Sequence, residues 1–173
     1  MSNIRLIGLE SIRIGAVGVT GVMGTTLSTI SPTVPDSAHL IVEAPASTDL
    51  FVEETDLPDI SILGTSKKTI EFATRDMGSA VLLEAFGGSF NGTTGAWSAP
   101  VTAAVVKESC IEAISKVYNS KKLKVEIPRA SVKVGGDLRF SKTESGQITF
   151  SCDVMIPASS TQISPIVITQ VAG

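Results

Sequence analysis

Period-two alternation governs the last third of this chain and constrains its fold more than any other feature. From Gln147 to Ile156, one side of an extended chain carries Ile148, Phe150, Cys152, Val154 and Ile156. The other side carries Gln147, Thr149, Ser151 and Asp153. Successive side chains of a strand point to opposite faces, so this pattern calls for a strand with one buried face. Ala130 to Ser141 repeats it, with Ala130, Val132, Val134, Leu138 and Phe140 against Ser131, Lys133, Asp137, Arg139 and Ser141. Gly135-Gly136 interrupts this second run and predicts a bulge or sharp bend. Lys142-Thr143-Glu144-Ser145-Gly146 reads as the hairpin loop joining the two, with Gly146 supplying a positive φ. Arms of about ten residues reach roughly 33 Å, long for a small domain and suggestive of pairing beyond one subunit.

Shorter strands are expected upstream. Leu123, Val125 and Ile127 alternate with Lys122, Lys124 and Glu126, and Pro128 is expected to end that run. Ser11 to Gly15, His39 to Val42, Ile60 to Ile62, Thr69 to Phe72 and Pro165 to Val171 also read as strands. Val101 to Tyr118 fits either helical or strand spacing, and its β-branched residues favour a strand. One helix is predicted: Asp76 as N-cap, an apolar stripe of Val81, Leu82, Ala85 and Phe86, and Gly87-Gly88 as the stop. Three stretches read as loops: the Gly/Ser/Thr-rich 15–35, the acidic 45–58, and 87–100. These elements predict one mainly β domain over 1–173, a β-sandwich or partly open barrel of antiparallel strands with one flanking helix and a long C-terminal hairpin.

At 173 residues, a single domain buries roughly 70% of its unfolded surface. Its charged fraction is low, 18%, against about 25% in a typical soluble domain, and the mean hydropathy is +0.32. A membrane span is one explanation. However, the uncharged run from Ile14 to Pro35 is broken by Gly15, Gly18, Gly21, Gly24, Pro32 and Pro35 and contains no sustained apolar segment. Met1 to Arg5 lacks the basic region and apolar core of a secretory signal, which predicts a chain made in the cytosol without membrane insertion. Oligomer interfaces, depleted in charge at their centres, explain the composition instead. The net charge of −3 disfavours a phosphate-gripping nucleic-acid binder.

No catalytic, cofactor or metal set emerges. His39, in an apolar strand-like run, reads as structural. Cys110 and Cys152 fit no metal spacing and read as buried thiols. Gly87-Gly88-Ser89-Phe90-Asn91 fails the nucleophile-elbow pattern at its last position. The glycines at 15, 18, 21 and 24 fall every third residue, unlike a dinucleotide fingerprint, and Thr25-Thr26 follows where a phosphate loop needs Lys. Asp49, Glu53, Glu54, Asp56 and Asp59 lack the alternation and central Gly of a calcium loop.

The order of features resembles the tail tube proteins of long-tailed bacteriophages. The residues that carry the likeness are Ile12-Arg13-Ile14-Gly15 followed by Gly21-Val22-Met23-Gly24-Thr25-Thr26, then the acidic stretch. Lys68 to Met77 follows, leading into a helix that ends Ala85-Phe86-Gly87-Gly88. Trp97, Pro100, Ile127-Pro128-Arg129-Ala130 and the long hairpin complete it. The resemblance implies a structural virion protein without an active site or cofactor, assembled in the bacterial host cytoplasm. Its six-membered rings would stack into a hollow tube that conducts the genome. The partners it implies are further copies, tail tip and tail terminator proteins, a tape measure protein in the lumen, and double-stranded DNA passing without specific binding. The inner tube of a contractile injection system and, in another class, a ligand-binding β domain such as an adhesin module are the alternatives.

Two assembly surfaces follow as expectations. The uncharged arm, with Gly15, Gly18, Gly21, Met23 and Gly24, would be ordered by neighbouring subunits. The acidic loop, with Asp49, Glu53, Glu54, Asp56 and Asp59, would meet Lys67, Lys68, Lys121, Lys122 and Lys124 of the adjacent ring, in a contact weakened by salt.

Overall fold

The computed structural model describes residues 8–19, 21–51, 53, 59–101, 107–140, 145–158 and 164–173. In chain order these form β1 (Leu9–Ala16), β2 (Leu27–Ile30), β3 (His39–Val42), β4 (Ser47–Leu50), β5 (Ile60–Leu63) and β6 (Lys68–Thr74). Helix α1 (Ser79–Phe86) follows, then β7 (Ser89–Asn91), β8 (Ala96–Ser98), β9 (Lys107–Ser115), β10 (Lys121–Phe140), β11 (Ser145–Val154) and β12 (Val167–Ala172). The fold is mainly β with a single flanking helix, and its sheets are open. The principal sheet runs β2-β1-β9-β10-β11-β6-β3, with β12 also on β10. β4-β5 and β7-β8 are separate two-stranded pairs.

The spine is β10, twenty residues long and paired on both sides. β9 follows one side from Lys124 to Val132. The other side changes partner, from β12 over Lys121–Glu126 to β11 over Ala130–Phe140. Pro128 does not end the strand. It lies where the register with β9 shifts between Ile127 and Ala130, in the gap between the two partners opposite, so its missing N–H removes no ladder bond.

The expected alternation is present. Ile148, Phe150 and Cys152 are fully buried, and Phe150 stacks on the opposing Phe72 with centroids 4.7 Å apart. The face ends sooner than predicted, because β11 stops at Val154 and Ile156 is 81% exposed. Gly135-Gly136 produces no bulge. Gly135 faces Thr149 and Gly136 faces Ile148 in unbroken register, and the shift comes after Asp137. The Gly136 site is filled by the Phe86 ring of α1, where a Cβ would lie 2.9 Å from Cζ. That glycine lets the helix lie against the sheet. Ser145 and Gly146 fall inside β11 rather than in the loop, and Lys142, Thr143 and Glu144 lie outside the described residues.

Gly78, not Asp76, caps α1. The Asp76 carboxylate turns back to accept the Gly78 N–H at 2.7 Å. At the other end the Gly87 N–H closes the last turn on the Leu83 carbonyl. Glu84 ties the helix to β9, pairing with Lys107 at 3.0 Å and accepting from the Ser109 hydroxyl at 3.3 Å. The ambiguous 101–118 segment contains the strand β9, with 102–106 outside the described residues. Each stretch expected to be loop holds a strand: β2 within 15–35, β4 within 45–58, and the β7-β8 pair within 87–100. Both cysteines are free and fully buried, as expected. Burial pushes the Cys152 thiol up to about 12. Among the described residues, no helix is long and apolar enough to cross a membrane.

Candidate functional site

The two faces of the principal sheet have opposite chemistry. One face holds the core: Ile12, Ile14, Ile111, Ile127, Val132 and Phe150, with α1 packed against it. The other is polar and charged, and its charges are paired within the chain. Arg129 grips Glu108 through two hydrogen bonds at 2.7 and 2.8 Å, and Arg13 pairs with the buried Glu112. Lys133 and Lys67 both reach Asp153, at 2.6 and 3.1 Å, and the Thr69 hydroxyl donates to it at 3.1 Å. Lys133 first, then Lys67 and Thr69, hold the Asp153 carboxyl at about 2, against the opposing effect of burial.

At the β3 edge this sheet continues into open solvent. His39 faces Glu71 and Val42 faces Lys68 in the β3-β6 pair, while Ser47 faces Leu63 and Leu50 faces Ile60 in the β4-β5 pair. The offset is identical in both. The backbone bonds between them, Glu43 N–H to Lys67 O and Gly64 N–H to Ala46 O, keep the same register. The two pairs are therefore the base and tip of one hairpin, a ribbon that leaves the sheet after Lys68. All eight residues of β4 and β5 are exposed. β5 extends β6, and β12 follows β11 along β10, yet β5 and β12 are not paired. The sheet forks there.

Cross-strand partners share a face, so the ribbon has two distinct sides. Asp49, Ser61, Ser47 and Leu63 share one, where the Ser61 hydroxyl donates to Asp49 at 2.6 Å. Thr48, Leu50, Ile60 and Ile62 share the other, which bears no charge. By parity with Leu40 and Ile70, the uncharged side continues the face that the sheet uses for its core. Ile60 and Ile62 are about half exposed, at 52% and 54%.

The acidic residues are only partly brought together. Asp49, Glu53 and Asp59 are exposed on or beside the ribbon, and Glu54 and Asp56 lie outside the described residues. The lysines do not form one cluster. Lys67 and Lys68 lie at the ribbon base, level with Ala130 of β10, whereas Lys121 begins that strand. Nine residues separate those two levels of β10, roughly 30 Å. Three of the five are also occupied within the chain: Lys67 by Asp153, Lys122 by Glu10 at 2.7 Å, and Lys124 by Glu126 at 2.8 Å. Lys68 and Lys121 form no ion pair among the described residues.

The Gly-rich arm folds back on its own chain. Gly21 N–H bonds to Gly18 O, and Gly18 N–H to Val22 O, making a tight turn whose tip residue Val19 is fully exposed. Gly24 donates to the Cys110 thiol at 3.3 Å, and a Cβ on Gly24 would collide with the Ala16 carbonyl oxygen. A Cβ on Gly15 would collide likewise with Thr26. Met23 is half-buried. Beyond the turn, β2 pairs with β1 and contributes Ile30 to the core, while Ser28 and Thr29 stay exposed at the sheet's edge.

His39 is exposed on β3. Among the described residues, no group of three or more His, Cys, Asp or Glu side chains is placed to hold a metal ion. Sequence reasoning named the acidic side of the ribbon and missed its uncharged side. The signal was Ile60-Ser61-Ile62, already legible as a strand but left without a partner. The chain matches no protein-family model, and no curated protein matches it.

Proposed function

We propose that this chain is a structural subunit that assembles with copies of itself into stacked rings, forming a hollow tube of the phage-tail type that its sequence resembles. The observation that carries this reading is the uncovered ribbon. A two-stranded hairpin is marginal in water without a layer against it, and this one holds its apolar side open to solvent.

Free edges at β2 and at the fork, together with one small domain, suit heterologous contacts, which repeat into rings or filaments. The paired charges on the polar sheet face suit a channel wall, because phosphates find few unoccupied cations to grip. In this reading the tube is a homo-hexameric stack located in the virion tail. It gives double-stranded DNA passage without binding it, holds a tape measure protein during assembly, and ends on tip and terminator proteins. It carries no chemistry. Sedimentation and negative-stain microscopy of the purified chain at high concentration and moderate salt test this. Rings or tubes are expected, and a protein that stays monomeric throughout contradicts it.

A further inference from the structure

We infer that the uncharged side of the ribbon of one copy seats on β2 and the exposed Val19, Val22, Thr25 and Thr26 beside it on the next copy. This rests on the self-assembly proposed above and names the surfaces that meet.

Charge selects the ribbon side. Docking through Asp49 and its neighbours would strip water from carboxylates, a costly step unless each finds a partner, and three of the five candidate lysines already serve carboxylates of their own chain. The side with Thr48, Leu50, Ile60 and Ile62 desolvates no charge. Its partner surface should be uncharged as well. From Ile14 to Pro35 the chain has no ionisable side chain, and Val19, Val22, Thr25, Thr26, Ser28 and Thr29 are all exposed there.

Topology selects the partner. The uncharged strand β12 also exposes apolar residues, but it lies on the ribbon's own side of β10. β2 lies on the far side, beyond β9 and β1. The residues after β2 bond to β6 at its end away from the ribbon, through the Thr33–Thr74 bridge, and the 14 residues of chain from Thr74 back to Ile60 span roughly 46 Å of extended strand, so the ribbon tip of one copy can reach β2 only on another. A contact between two different surfaces repeats head to tail and builds a ring or filament.

Size sets the character of the contact. The free ribbon, about eight residues by two strands, presents roughly 26 by 10 Å. That is well under the ~800 Å² per partner of a stable pair. One such contact cannot hold two free chains together. Assembly should therefore be steep in concentration, and insensitive to salt at this contact, in place of the ionic contact that the acidic residues suggested.

Cysteine cross-linking tests the inference, because Cys110 and Cys152 are fully buried and leave the surface free of thiols. Thr48→Cys and Ser28→Cys, both at exposed positions, are mixed in equal amounts under assembling conditions with mild oxidant. A mixed disulfide between the two variants is expected. It should be absent on dilution and absent when Asp49→Cys replaces Thr48→Cys. In parallel, Ile62→Lys should remain monomeric where the unaltered chain assembles, while Ser61→Lys, on the charged side, should still assemble. Assembly without the Thr48–Ser28 link, equal linking from Asp49→Cys, or linking mainly between two ribbons overturns the inference and leaves the tube reading standing. A chain that never assembles overturns both.

Discussion

The base and the tip of the 39–71 hairpin share one register, yet they live in different environments. At the base, Ile70 and Phe72 are 4% and 1% exposed, with β11 beside them and core side chains against their face. At the tip, Leu50, Ile60 and Ile62 carry similar apolar bulk and have neither a third strand nor a second layer. Backbone pairing is the same in both halves, so it cannot be what separates them. What the base gains is burial, worth about 25 cal/mol per Å² of apolar surface. The tip holds that contribution unspent until something covers it.

Three perturbations sharpen this contrast. Phe150→Ala, which removes the ring stacked on Phe72, should destabilise the subunit by about 3–5 kcal/mol, measured by urea unfolding.

An intermediate effect is expected at Asp153, whose carboxylate joins Lys67 at the foot of the ribbon to Lys133 of the body. Its folded pKa of about 2 lies below the ordinary 3.8, so the ionised form stabilises the fold. That contribution is complete above pH ~4 and is lost as pH falls from about 4 towards 2. Asp153→Asn should cost about 1–2 kcal/mol at neutral pH, allowing for screening by water, and should flatten the acid limb of a stability–pH curve. An unchanged acid limb would show that the clamp contributes nothing.

Ile62→Ala, at the tip, should change the stability of the free subunit by no more than about 0.5 kcal/mol. A loss of 2 kcal/mol or more there would mean that the tip is already packed, and would erase the contrast.

The body of the fold was legible because its strands have one buried and one polar face. Ile148, Phe150 and Cys152 alternate with Thr149, Ser151 and Asp153, and the structure buries the first set. The 45–58 arm of the ribbon was read as a loop, though Ile60 to Ile62 was read as a strand, because neither side of the ribbon is buried, and Pro45, Asp49 and Pro58 look like turn chemistry. β2 was hidden for another reason. Leu27-Ser28-Thr29-Ile30 sits among glycines and hydroxyl residues, and only its pairing with Ile12 to Gly15 makes it a strand. Pro128 and Gly135-Gly136 misled because their local preference for breaking a strand is overridden by tertiary context. One lies where β10 changes partners, and the other makes room for Phe86. The candidate surface was half legible. Its carboxylates stood out in the sequence, whereas the uncharged side exists only once Thr48 is set opposite Ile62.

Amide hydrogen exchange of the ribbon, residues 43–51 and 59–67, compared between dilute and concentrated protein, tests the central claim most directly. Cross-strand amides at the tip, such as those of Asp59 and Gly64, should exchange quickly in dilute protein, because opening a bare two-stranded hairpin costs little. Base amides in β6 should be slow under both conditions. On assembly the tip should slow by at least about tenfold, the equivalent of roughly 1.4 kcal/mol of added protection. Tip exchange as slow as the base in dilute protein, or unchanged in particles that microscopy shows to be assembled, would contradict the claim that the ribbon is an uncovered assembly surface.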